Sequence, residues 1–114
     1  MKQLQSKNNW EILLNKELEK IVDSLKQKYR PDKIILFGSA HDGNIREWSD
    51  LDLVIIKKTD KRFYDRISEV SRLIPHRVPV DLLIYTPEEF ASMMRNNYFI
   101  RDEIVAKGKI IYAR

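Results

Sequence analysis

The chain has no cysteine among its 114 residues, which excludes disulfide cross-links and thiolate metal sites and fits a reducing compartment. Long apolar runs are also missing. None exceeds five residues, and the first residues, Met1-Lys2-Gln3-Leu4-Gln5-Ser6-Lys7, lack the apolar core of a secretory leader. A soluble, cytoplasmic protein without a membrane span is expected. Internal repeats, low-complexity tracts and linkers longer than a turn are absent too, so residues 1–114 read as one domain with a single core and no room for a second module. There are two histidines, and neither has a second His or Cys at ligand spacing, so His41 and His76 read as surface-loop residues.

What the chain does have is charge. Its formal net charge is +4 and its pI near 9.3, a balance that favours acidic partners such as nucleotides or nucleic acid. The bases are dispersed, however. Lys57-Lys58, Lys61-Arg62 and Arg101 alternate with acids, and aromatics do not interleave with them as on a single-strand-binding surface. This pattern reads as a solvated face, so a direct nucleic-acid groove is not expected.

Hydrophobic periodicity sets the elements. Trp10, Leu13, Leu14, Leu18, Ile21, Val22, Leu25 and Tyr29 recur at three- and four-residue steps, which predicts an amphipathic helix stopping before Pro31. Ile34-Ile35-Leu36-Phe37, Leu53-Val54-Ile55-Ile56 and Val80-Asp81-Leu82-Leu83-Ile84-Tyr85 predict strands. Between the last two, Phe63, Ile67, Val70 and Ile74 mark a helix that ends before Pro75. Thr86-Pro87-Glu88-Glu89 reads as a capping box with proline at the first helical position, opening a helix that carries Phe90, Met93 and Met94 and breaks at Asn96-Asn97. Ile100, Ile104 and Val105 continue for a turn or two to Gly108, and Lys109 to Tyr112 predict a closing strand. The link between the first two strands permits antiparallel pairing, while the later helical crossovers permit parallel pairing. The expected fold is therefore α/β (α+β), a mixed sheet of three to four strands with helices mainly on one face.

The densest chemistry lies where strands one and two meet the loop between them. Gly38-Ser39 follows the first strand and, after ten residues, Asp50-Leu51-Asp52 opens the second. Side chains at i and i+2 of a strand share a face, so the two carboxylates stand side by side at one end of the sheet. Like charges so placed repel and resist desolvation, and a hard divalent cation such as Mg²⁺ reverses that balance. Gly38, without a Cβ, lets backbone N–H groups and the Ser39 hydroxyl approach a phosphate. Asp81, near the start of its own apolar strand, is the candidate third carboxylate, whereas Asp60, Asp65 and Glu69 lie on or beside an amphipathic helix and read as solvated. Arg46 and Lys57 are cations that could approach such a phosphate, although nothing in the spacing requires it.

Gly-Ser, ten residues, Asp-x-Asp and a later strand Asp resemble the minimal nucleotidyltransferase domain of the DNA polymerase β superfamily. The likeness runs from Lys33 to the closing Gly108-Lys109-Ile110-Ile111-Tyr112, with Gly43 also at a family-typical place. It implies that Gly38 and Ser39 hold the phosphates of a nucleoside triphosphate, that Asp50, Asp52 and Asp81 coordinate two Mg²⁺ ions, and that Asp81 could also accept the nucleophile's proton. One departure is Ala40-His41-Asp42-Gly43, where relatives often carry a basic segment. The resemblance further implies a partnership with a helical HEPN-domain protein in a toxin–antitoxin pair, in which AMP passes from ATP to a tyrosine of the toxin. Two other readings stay open: a module that neutralises a partner by contact alone, and a free-standing nucleotidyltransferase acting on a small molecule or nucleic-acid end. Homo-oligomerisation is left open as well.

Overall fold

The computed structural model describes residues 2–38 and 49–114, with side chains from residue 9 onward. In chain order the elements are α1 (Lys2–Lys28), β1 (Lys33–Phe37), β2 (Leu51–Ile56), α2 (Phe63–Ser71), β3 (Val80–Tyr85), α3 (Pro87–Asn96), a π-helix (Phe99–Val105) and β4 (Lys109–Ala113). The strands form one mixed sheet in the order β3-β2-β1-β4. β1 pairs antiparallel with β2 and with β4, while β2 and β3 run parallel, joined by the crossover through α2. Antiparallel and parallel pairing thus fall where the loop lengths put them.

Strand alternation sorts the side chains into two cores. Leu51, Leu53 and Ile55 of β2 and Ile34 and Leu36 of β1 meet Leu14, Ile21 and Leu25 of α1 and Val70 of α2. Val54, Ile56, Ile35 and Tyr85 point the other way, onto Phe90 of α3 and Ile100 and Ile104 of the π-helix. Full burial of an Ile or Leu stabilises by about 1.5–3 kcal/mol, so each core holds its helices by several such contacts. α1 and α2, the larger share of helix, lie on the first face as expected, and α3 and the π-helix cover part of the second face. In β2, Leu53 to Ile56 form an unbroken apolar run because both faces at that end of the sheet are covered.

Local chemistry fixes the ends of the elements. Thr86 Oγ1 accepts from Glu89 N–H at 3.1 Å and Glu89 Oε1 accepts from Thr86 N–H at 2.8 Å, closing the expected capping box. The same Glu89 carboxylate receives both terminal nitrogens of Arg66, at 2.7 and 3.2 Å. Arg66 is only 6% exposed, and it also donates to the carbonyls of Ile84 and Lys61 at 3.1 and 2.8 Å. One guanidinium therefore joins α2, the end of β3 and the start of α3. At the same end of the sheet Lys57 Nζ donates to the Tyr29 and Arg30 carbonyls at 2.6 and 3.3 Å, which satisfies the C-terminus of α1.

Candidate active site

The three aspartates converge. Asp52 lies on β2 directly opposite Asp81 in the parallel pairing with β3 and directly opposite Phe37 in the antiparallel pairing with β1. Paired residues share a face, so Asp81, Asp52 and Phe37 form a row across three strands, on the side of α3 and the π-helix. Asp50 stands just ahead of β2. One carboxylate oxygen from each of Asp50, Asp52 and Asp81 lies within 4.8 Å of the others, a spacing that can hold a hard cation by oxygen ligands. Asp81 is exposed and the other two are half-buried, so the cluster opens outward.

Two neighbours shape the approach to these acids. Gly38 has φ +78°, a left-handed conformation that glycine adopts without steric cost, and a Cβ built there would stand 3.2 Å from Asp52 Cγ and nearer still to its carboxylate oxygen. On the other side Trp10 Nε1 donates to the Ser49 carbonyl at 3.0 Å, and Leu51 N–H donates to Pro79 O at 3.0 Å, so α1 and β3 both anchor the chain as it enters β2. Asp50 sits between those anchors.

Crowding shows in the proton affinities. The Asp52 pKa is pushed up to about 7, first by burial, then by the negative charge of Asp50, then by the hydrogen bond and charge of Asp81. Asp50 is also raised, first by burial and then by its hydrogen bond with Asp81. Asp50 and Asp52, so crowded, hold protons that free carboxyls would shed, and a divalent cation satisfies the same oxygens without them. The donor set therefore fits Mg²⁺.

Of the residues singled out from sequence, Gly38, Asp50, Asp52 and Asp81 come together. Ser39 lies outside the described residues, as do His41, Asp42, Gly43 and Arg46. Lys57 is at the far end of β2 from the acids, engaged with the end of α1, and takes no part in the cluster. Asp60 and Asp65 are exposed, as expected, while Glu69 pairs with Lys61 at 3.0 Å. Phe37 was not singled out. Its face could be read from strand alternation, but its place beside Asp52 depends on the register.

The domain is thus a mixed sheet with an acidic cluster at one end. A solved structure described as a "putative nucleotidyltransferase" from Sulfolobus solfataricus superposes with a TM-score of 0.67, covering 96% of this chain and 88% of that one at 22% identity, which establishes the shared fold. Residues 19–114 match the family model described as Polymerase beta, Nucleotidyltransferase, and the chain belongs to that family. A "putative protein adenylyltransferase" of Methanocaldococcus jannaschii is 29% identical over 101 residues, spanning 85% of this chain and 96% of the relative. A second protein of that organism with the same description is 44% identical over 59 residues, 49% of this chain and 40% of the relative. The protein is a nucleotidyltransferase. No helix among the described residues is long and apolar enough to cross a membrane.

Proposed function

We propose that the chain transfers AMP from ATP to a hydroxyl group of a partner protein, with Asp50, Asp52 and Asp81 as the metal-binding acids and Gly38 and Ser39 on the triphosphate. The observation that carries this reading is the meeting of three carboxylates within 4.8 Å at an outward-facing end of the sheet, beside a glycine that leaves no side chain in the way. Mg²⁺ bound there would neutralise the triphosphate and the departing pyrophosphate. The chain's own part is to hold and align. Gly38 opens the approach to the phosphates, the acids fix their orientation, and the hydroxyl oxygen attacks the α-phosphorus as the bond to the bridging oxygen of pyrophosphate breaks. The hydroxyl proton passes to the Asp81 carboxylate, the most exposed of the three and so the nearest to an incoming acceptor.

A protein acceptor is supported by the description of the Methanocaldococcus relatives and by the exposure of Asp81. The partner we propose is a helical HEPN-domain toxin modified on tyrosine, with this chain as its antitoxin. Incubation of chain, partner, Mg²⁺ and ATP labelled at the α-phosphate is expected to label the partner, and Asp52→Asn to abolish the labelling. Label that persists in Asp52→Asn overturns the acid assignment. A wild type that blocks the partner without labelling it leaves contact as the mode of neutralisation.

A further inference from the structure

The row of acids ends in aromatic rings. Phe37 follows Asp52 across the sheet, and its ring meets that of Phe99 edge-on, with centroids 6.1 Å apart. Phe99 is 49% exposed, and its neighbour Tyr98 is 75% exposed with the Arg101 guanidinium 4.8 Å over its ring. Phe37 lies on the same face as Asp52 and Asp81, one strand spacing from the first and two from the second, and the Phe99 ring is one ring contact from Phe37. A nucleotide whose phosphates met the acids would carry its ribose and base away from them, and Phe99 offers an exposed ring beside that cluster.

The backbone that presents Phe99 is unusual and firmly held. Residues 99–105 form a π-helix, a rare element that is frequent at functional sites. Asn97 Oδ1 accepts from the N–H groups of Phe99 and Ile100 at 2.9 and 3.3 Å, and Ala106 N–H closes on Arg101 O at 3.0 Å. Ile100 and Ile104 are buried in the core below. The widened turn thus keeps its aliphatic side chains inward while leaving an aromatic ring outside, braced on Phe37.

The geometry points to Phe99, braced by Phe37, as the platform on which the base of the nucleotide stacks. This rests on the assignment of the triphosphate to the acids and Gly38, and it adds the residue that tells a nucleotide from inorganic polyphosphate. Every base has a π-face, so the platform supplies affinity for a nucleobase of any identity, and stacking on one aromatic ring is worth roughly tenfold or more in binding.

The test compares two probes with Mg²⁺, α,β-methylene-ATP and inorganic tripolyphosphate, by calorimetric titration of wild type, Phe99→Ala, Phe99→Leu and Phe99→Trp. The expected result is a loss of about tenfold in affinity for the nucleotide in the Ala and Leu variants, retention in Trp, and tripolyphosphate binding unchanged in all of them. Phe99→Leu keeps apolar contact with Phe37, so folding and stacking are separated. Equal nucleotide affinity in wild type and Phe99→Leu overturns the platform while leaving the phosphate site standing, as does a parallel loss of both probes. A wild type that binds neither probe overturns the phosphate assignment, and the platform with it.

Discussion

Gly38 and Asp52 occupy adjoining space so tightly that a methyl group on the first would collide with the carboxylate of the second. Gly38→Ala combines that collision with a left-handed backbone that costs an alanine about 1–2 kcal/mol. The expected outcome is a folded protein with a lower melting temperature and transferase activity reduced at least a hundredfold. Activity within a few-fold of wild type, measured by partner labelling, would show that the acids tolerate displacement.

The crowding of the aspartates also predicts how stability depends on pH. Asp52 titrates near 7 in the folded chain against an ordinary 3.8, so the folded state holds the extra proton between those values. Stability of the metal-free protein therefore falls as pH rises from about 4 to about 7 and levels off above that, and Asp50 shifts in the same direction. Thermal melts in a chelator at successive pH values should show a steeper decline for wild type than for Asp52→Asn. Mg²⁺ should raise the wild-type midpoint at pH 8 and have little effect at pH 5, where protons compete for the ligand oxygens.

Arg66 makes a third prediction. Its guanidinium is buried and bonded to Glu89 and two backbone carbonyls, so Arg66→Met strands those carbonyls and one half of the capping network. Because Glu89 is itself largely exposed, the expected loss is about 2–3 kcal/mol, at the low end for a broken buried pair. Glu89→Gln should cost about 1 kcal/mol by weakening the cap. Urea denaturation of the two variants distinguishes these values, and equal losses would mean that the carbonyl contacts contribute nothing.

At the end of α1, Arg30 adopts φ +54°, with its N–H bonded to Leu25 O at 2.8 Å. The position is a helix C-terminus that glycine suits better. Arg30→Gly is expected to raise stability by about 0.5–1 kcal/mol, visible as a higher urea midpoint with an unchanged slope. A lower midpoint would place the Arg30 side chain, and not its backbone, in control of this end.

Much of this architecture is legible in the sequence because it rests on local rules. The capping box at Thr86 needs only residues three apart, and the four strands need only apolar runs between turn signals. The candidate acids stand out because an Asp is conspicuous in an apolar strand. What escaped has a physical reason in each case. Arg66 looks like one more base on a helix until the fold brings Glu89, 23 residues away, against it. Lys57 reads as a free cation next to β2, yet the return of α1 to that end of the sheet consumes it. The segment Phe99–Val105 has ordinary helical composition, and its wider π turn depends on the Asn97 side chain and on the packing of Ile100 and Ile104 below. Phe37 and Phe99 meet only because β1 and the π-helix are stacked.

The pairing of Asp52 with Asp81 in neighbouring parallel strands sets the gauge of the site by the backbone ladder. Adjacent strands keep a spacing of about 4.8 Å, whatever packs against them. Repacking the helices can therefore raise or lower the melting point without changing the gap between the two acids. Insertion of one residue into β3 ahead of Asp81 would instead swing that acid to the opposite side of the sheet. Catalytic accuracy in this domain is thus a matter of counting residues along a strand, and thermal robustness can drift independently of it.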